Sequence, residues 1–151
     1  MTTRMSDSWR DHLIDSPAGL RRILEATRRI AVLGIKPEHT GQPAYYVAEY
    51  AQQAGYEIVP VPVYYPELTE VLGQPIYRKV ADVPGEVDMV NVFRRPHDIP
   101  PHVADILAKR PKVVWFQSGI RNAEAAERLA REGIDVVQDR CLLVELRKIG
   151  R

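Results

Sequence analysis

The chain has 151 residues, of which 45% are hydrophobic and 27% are charged, so it can bury a core and is not expected to be disordered. Its 21 basic and 20 acidic side chains leave a net charge of +1, which argues against nucleic acid as a partner. The single cysteine, Cys141, excludes an intramolecular disulfide and a cysteine-cluster metal site. No apolar run has the length of a signal peptide or of a membrane helix of roughly 20 residues, so we expect a cytoplasmic protein without a membrane partner.

The chain begins with an arm and a first helix. Residues 1–16 are predicted to form an N-terminal arm with a short helical turn near Trp9 and Leu13. Ser16 and Pro17 are typical of a helix start, because a hydroxyl can cap the first turn and proline fits the first helical position. A single domain is therefore expected to follow this arm and to span residues 17–151.

Strand and helix patterns alternate along that domain. Short, continuous apolar runs are typical of strands buried on both faces, whereas apolar residues at helical spacing indicate helices. The predicted strands are IAVLGI (30–35), YEIVPVPV (56–63), VDMVNVF (87–93), KVVWF (112–116) and IDVVQ (134–138). The predicted helices cover residues 17–27, 44–55, 101–110, 122–133 and 141–149. The proline-rich stretch 64–85 is predicted to be irregular, with a helical turn near Leu68–Leu72.

This alternation predicts the fold class. Strands that alternate with helices form a parallel sheet with helices on both faces. We therefore predict an α/β fold, a Rossmann-like doubly wound parallel five-stranded sheet in three α/β/α layers, with the strand order 3-2-1-4-5.

The residues that follow the predicted strands indicate a ligand with phosphate groups. In such sheets the ligand lies beyond the carboxyl ends of the strands, where the strand order reverses. Backbone N–H groups at a helix start can hold phosphate, Lys36 adds a point charge, and Arg94 or Arg95 offers a bidentate fork. Phe93 can flank a planar base. These residue types also occur at strand ends for turn geometry and solubility alone, so that explanation stays open.

Several of these motifs together resemble a known family. The segments IAVLGI, QPAYYVAEYAQQAGYEIVPV, VDMVNVFRRP, VVWFQSGIRN and VVQDRCLLVE occur in the order and with the spacing of the small stand-alone CoA-binding-domain proteins. Those proteins are related in fold to the nucleotide domain of the succinyl-CoA synthetase alpha subunit. The resemblance covers roughly residues 17–147. It implies a Rossmann-like domain that binds coenzyme A or an acyl-CoA, and it implies no reaction.

The resemblance also implies a set of cofactor-binding residues, and no catalytic or metal-binding ones. This set is Gly34, Ile35, Lys36, His39, Pro43, Ala44, Pro62, Val63, Phe93, Arg94, Arg95, Gln117, Ser118, Gly119 and Cys141. Three positions depart from the family pattern. Ala44 stands where many relatives carry a hydroxyl, Pro62 replaces an asparagine, and Asn91 replaces a common aspartate.

Two other functions stay open from the sequence. One is an NAD(P)-dependent oxidoreductase or another nucleotide-using enzyme, although the G-x-G-x-x-G fingerprint is incomplete because the glycine after Gly34 is Gly41. The other is an interaction module without a small-molecule role, with a partner surface of tyrosines that could equally pack in the core. These tyrosines are Tyr45, Tyr46, Tyr64 and Tyr65.

Individual polar residues also allow more than one role. Ser118 lacks the G-x-S-x-G elbow of a hydrolase, so a hydroxyl that lines the pocket is expected instead. Cys141 is interpreted either as a small buried cysteine or as a thiol that could form a mixed disulfide with coenzyme A. Asp139 and Arg140 are predicted to form an ion pair. The sequence therefore favours a non-catalytic binding or regulatory protein.

Overall fold

The alternating pattern folds into a five-stranded parallel sheet with a separate two-stranded hairpin. The computed structural model describes residues 8–151. The strands are β1 (Arg29–Leu33), β2 (Glu57–Val61), β3 (Glu70–Val71), β4 (Gln74–Pro75), β5 (Met89–Val92), β6 (Val113–Phe116) and β7 (Asp135–Val137). The helices are α1 (Pro17–Ala26), α2 (Pro43–Gln53), α3 (Pro100–Lys109), α4 (Ala123–Arg131) and α5 (Leu142–Lys148). The predicted α/β fold class is confirmed.

Helices cover both faces of the sheet because the central strands bury apolar side chains on both sides. Along β1, Ala31 and Leu33 face a core formed with α3 and α4, and Ile30 and Val32 face a core formed with α1, α2 and α5. All four side chains are at most 2% exposed. Such double burial is the reason why the strands appear in the sequence as continuous apolar runs.

The start of α1 has the predicted cap. The Ser16 hydroxyl accepts a hydrogen bond from the Gly19 N–H at 3.1 Å, and Pro17 occupies the first helical position. This cap satisfies one N–H that the first turn of a helix otherwise leaves without a partner.

The predicted strand order is wrong. The five parallel strands are arranged β2-β1-β5-β6-β7, so the third parallel strand lies beside the first and not beside the second. The chain between β2 and β5 crosses one face of the sheet, where Val80 and Val83 enter the core. Asp88 then fixes β5 next to β1, because its carboxylate accepts hydrogen bonds from the backbone N–H groups of Arg28 and Arg29 at 3.0 and 2.9 Å.

The helical turn predicted near Leu68–Leu72 is also wrong. The antiparallel strands β3 and β4 form there, joined by a tight turn in which Leu72 and Gly73 have φ angles of 56° and 74°. Positive φ at both central residues is typical of a hairpin turn that matches the twist of its strands. Leucine is not a usual residue for this conformation, which explains why the sequence does not indicate this turn.

The N-terminal segment lies against the edge strand β7. Ser8–His12 form a short 3-10 turn where the sequence predicts a helical turn, and Trp9 packs against the core beneath α4. The Ile14 N–H donates to the Val136 carbonyl at 2.9 Å, which covers part of the unpaired edge. Residues 1–7 of the predicted arm lie outside the described residues. Among residues 8–151 no helix has the length and apolar character that crossing a membrane requires.

Candidate functional site

A cleft of about 400 Å³ opens at the carboxyl ends of β1, β2 and β5. The chain leaves β1 towards β2 on one side, whereas β5 lies on the other side, so the strand order reverses between β1 and β5. Such a reversal leaves a crevice in which doubly wound sheets bind their ligands. The residues that line the cleft are Gly34, Ile35, Lys36, Val63, Tyr64, Tyr65, Phe93, Arg94 and Arg95.

Gly34 brings the turns after β1 and β5 into direct contact. Its φ angle is 88°, and a Cβ atom at this position would lie 2.3 Å from the Phe93 carbonyl oxygen. Gly41, the next glycine in the chain, has nothing within 4 Å of such an atom. The loop between them therefore needs one glycine for close approach, and the missing G-x-G-x-x-G pattern reflects a more open loop.

The start of α2 faces this loop without a side-chain cap. The Lys36 N–H donates to the Ala44 carbonyl at 3.2 Å, and the Lys36 ammonium donates to the Gln42 side chain at 2.6 Å. Gln42, the N-cap residue, makes no capping hydrogen bond with its side chain. A lysine thus lies next to the positive end of an 11-residue helix, and both features favour an anion.

Arg94 and Arg95 follow β5 but differ in their surroundings. The Arg94 side chain is 15% exposed, and its Nε donates to Nε2 of His102 at 3.2 Å. Its guanidinium carbon also lies 5.5 Å from the centre of the Tyr64 ring. The Arg95 side chain is 72% exposed, and its Nε donates to the Asp98 carboxylate at 2.9 Å.

These contacts shift two pKa values near the cleft. The hydrogen bond from Arg95, together with the surrounding positive charges, lowers the pKa of Asp98. Burial lowers the pKa of His102, and the Arg94 charge lowers it further. Asp98 is therefore ionised and His102 neutral at pH 7.

A single arginine holds the loop that carries the two tyrosines of the cleft. Arg78 donates to the carbonyl oxygens of Tyr64, Tyr65 and Leu68 at 2.9, 2.8 and 3.3 Å. Tyr65 has a φ angle of 64°, a strained conformation for this residue, and its ring meets the His39 ring edge-on at 6.5 Å. His39 thus borders the cleft through Tyr65.

The structure brings seven of the fifteen predicted site residues into the wall of the cleft. Three others do not line it, since Pro43 and Ala44 begin α2 and Pro62 is buried directly after β2. The sequence assigned Tyr64 and Tyr65 to a partner surface or to the core, and their position directly after β2 was the signal for a site role. Tyr45 packs in the core, as one of its two interpretations required.

The predicted residues after β6 and β7 lie outside this wall. Gln117 is 4% exposed, and its side-chain oxygen accepts hydrogen bonds from the Leu142 N–H at 3.2 Å and from the Asn91 amide at 3.3 Å. Ser118 and Gly119 are exposed in the turn after β6. Cys141 is partly buried and precedes the first residue of α5.

The predicted ion pair between Asp139 and Arg140 is replaced by other partners. Asp139 accepts a hydrogen bond from the Gly119 N–H at 2.7 Å and pairs with Arg121 at 3.4 Å. The Gly119 N–H and the Arg121 charge lower the pKa of Asp139. Arg140 pairs with Asp15 at 2.7 Å, so it ties the N-terminal segment to the turn after β7.

The cleft therefore combines features for binding an anion and a planar ring. Lys36 and Arg94 supply positive charge, Lys36 lies beside the start of α2 and its helix dipole, and Phe93 and the two tyrosines supply aromatic surface. Within residues 8–151 no three His, Cys, Asp or Glu side chains are grouped so that they could hold a metal ion.

Comparison with known proteins defines the family. The family model described as "CoA binding domain" matches residues 28–147. The uncharacterised protein YneT of Bacillus subtilis is 36% identical over 131 residues, which cover 85% of this chain and 93% of YneT. The chain belongs to the CoA binding domain family, and the resemblance found in the sequence is confirmed.

Solved structures show the same architecture. A protein from Thermus thermophilus is 37% identical with a TM-score of 0.82, and the match covers 89% of this chain and 99% of that one. A hypothetical protein from Pyrococcus horikoshii is 31% identical with a TM-score of 0.81, over 89% of this chain and 92% of that one. The α/β/α arrangement is thus common to this chain and to both relatives.

Proposed function

We propose that the protein binds coenzyme A or an acyl-CoA in the cleft between β1, β2 and β5, as a binding or regulatory protein. The observation that carries this proposal is that the Gly34 turn, Lys36 beside the uncapped start of α2, and the held side chain of Arg94 line one cleft. Membership in the CoA binding domain family supports the same ligand.

The chemistry of coenzyme A matches the cleft group by group. Its pyrophosphate suits the start of α2 and Lys36, since helix N–H groups and an ammonium both favour phosphate. Its ribose phosphate suits Arg94, whose guanidinium can bind two phosphate oxygens at once. Its adenine ring suits the aromatic surface of Phe93, Tyr64 and Tyr65.

The remaining predicted residues suit the long pantetheine arm. The strands β6 and β7 lie about 5 and 10 Å further along the sheet than β5, a distance that a long flexible chain can span. We assign Gln117, Ser118, Gly119 and Cys141 to this arm, where contacts are weaker than those to the phosphates.

We propose binding without a reaction. The described residues that line the cleft do not place a nucleophile beside a base, which acyl transfer requires. Sustained hydrolysis of acetyl-CoA by the purified protein, above a heat-inactivated control, would contradict this part of the proposal.

Thermal unfolding with different ligands tests the choice of ligand. A ligand that binds only the folded state at 100 times its Kd adds about 2.7 kcal/mol. For a chain of this size each kcal/mol raises the melting temperature by roughly 2–4 °C, so saturating coenzyme A should raise it by about 5–10 °C. Dephospho-CoA should raise it less, because it lacks the ribose phosphate.

Two results would favour the other functions. A rise with NAD and none with coenzyme A would favour an oxidoreductase. No rise with either, in a sample shown by mass spectrometry to be free of ligand, would favour an interaction module.

A further inference from the structure

Arg94 is fixed in place by groups from three different elements. Its Nε donates to His102 on α3, and its Nη2 lies 3.8 Å from Asp98 in the short turn before α3. Its guanidinium also lies against the ring of Tyr64, in the loop after β2. The distance to Asp98 is too long for a hydrogen bond, so His102 is the residue that accepts one. A guanidinium has five N–H donors, and four of them remain for other partners.

The hydrogen bond defines the protonation state of His102. Nε2 accepts from Arg94 and therefore carries no proton, which leaves the ring proton on Nδ1. The charged groups that act on the ring are Arg94, Asp105 and Asp98. The Asp105 carboxylate is occupied by the backbone N–H groups of Val80 and Ala81 at 2.8 and 2.9 Å. Arg94 is therefore the charged group that forms a hydrogen bond with the His102 ring.

We propose that neutral His102 is a positioning residue that holds the Arg94 guanidinium in the wall of the cleft, ready for an anionic group of the ligand. This inference rests on the proposed function, since the ligand is coenzyme A. An exposed arginine loses rotamer freedom when it binds a phosphate. A side chain that is already fixed loses less, so the hydrogen bond to His102 raises affinity without a contact between His102 and the ligand.

Binding measurements on five variants test this role. We expect His102→Ala to weaken coenzyme A binding roughly 3- to 10-fold at pH 7.5, the size of one hydrogen bond. His102→Gln should bind almost as the parent does, because its side-chain oxygen can accept from Arg94. In the Arg94→Ala background, His102→Ala should cause no further loss. The matched control is His97→Ala, since His97 is 72% exposed and its ring lies 3.5 Å from the Asp98 carboxylate.

Nuclear magnetic resonance of the protein without ligand gives a second readout. We expect the Nε2 of His102 to have the chemical shift of an unprotonated nitrogen at pH 7.5, and the Arg94 Nε–H signal to shift in His102→Ala and to recover in His102→Gln. A protonated Nε2 would overturn the inference, whatever the protein binds.

The outcomes separate this inference from the proposed function. If the parent binds coenzyme A but the losses in Arg94→Ala and His102→Ala add up in the double variant, His102 acts independently of Arg94 and the inference is wrong. If the parent does not bind coenzyme A, the proposed function fails and the inference fails with it. Far-UV circular dichroism of each variant confirms that its fold is retained.

Discussion

The carboxyl edge of the sheet has two halves that contain similar residues and differ in geometry. The turns after β1, β2 and β5 surround a cleft, and Arg94 and Lys36 lie in its wall. The turns after β6 and β7 fold against each other, so that Asp139 accepts a hydrogen bond from the Gly119 N–H and pairs with the Arg121 side chain. Arginines at strand ends thus serve a cleft in one half and turn structure in the other.

The connection between strands explains this difference. From β5 to β7 the chain proceeds in one direction through α3 and α4, which cover the same face, so neighbouring turns pack together. Between β1 and β5 the direction reverses, and the cleft opens between the turns that follow them. A basic residue after a strand therefore indicates a ligand site when it borders the reversal.

The largest expected effect compares one glycine from each half. Gly34→Ala should lower the free energy of unfolding by roughly 2–5 kcal/mol, because it combines left-handed strain with overlap against the Phe93 carbonyl. Gly119 has a φ angle of 83°, but a Cβ atom added there would have no atom within 4 Å. Gly119→Ala should therefore cost only the strain of the left-handed conformation, about 1–2 kcal/mol. Urea unfolding of both variants measures the difference, and equal losses would show that the two turns are equally tight.

The next effect compares one arginine from each half. Arg94→Ala should weaken coenzyme A binding about 10-fold or more, since hydrogen bonds to charged groups are worth roughly 1.5–3 kcal/mol. Arg121→Ala should change it less than about 2-fold, because Arg121 is 65% exposed and pairs with Asp139. Isothermal titration calorimetry of both variants decides this, and a larger loss in Arg121→Ala would move the site to the other half.

A smaller effect concerns the pH dependence of stability. The pKa of His102 is lowered in the fold by burial and by Arg94, from a usual value of 6.5. The unfolded chain therefore binds this proton more readily, and the free energy of unfolding should fall as the pH drops below about 6.5. His102→Gln should show a weaker fall between pH 7 and pH 5 in urea titrations. An identical fall in both proteins would mean that other groups cause it.

A small effect on affinity is also expected at Cys141, in the half without the cleft. Cys141→Ser should weaken coenzyme A binding by less than about 3-fold, or roughly 0.7 kcal/mol. The same change should stabilise the fold slightly, because Cys141 is the N-cap of α5 without a side-chain hydrogen bond and serine is a better cap. A loss of binding comparable with that in Arg94→Ala would indicate that the thiol contributes to the site.

Local features of the fold could be predicted from the sequence, and its arrangement in space could not. The apolar runs fixed the positions of the strands, and Ser16 with Pro17 fixed the start of α1, because both signals act over a few residues. The strand order depends on the path of the segment between β2 and β5, which crosses a face of the sheet through Val80 and Val83. No periodic pattern in that segment indicates the direction of this crossing.

The candidate site shows the same limit. Residues directly after β1 and β5 could be found because strand ends are visible in the sequence. The predicted cofactor-binding set after β2 ends at Val63, although Tyr64 and Tyr65 also border the cleft. The roles of Arg78 and His102 depend on contacts with residues 13 and 8 positions away, Tyr65 and Arg94, across irregular turns. Sequence spacing carries no information about such contacts.

A two-dimensional NMR titration with coenzyme A tests most directly whether the ligand binds in this cleft. We expect the backbone N–H signals of Gly34, Lys36 and Tyr64 to move on saturation, with those of Gly133 and Ile134, at the amino end of β7, unchanged. NAD at the same concentration should leave all of them in place. Saturable changes confined to residues away from β1, β2 and β5, or none with coenzyme A, would contradict binding in the cleft.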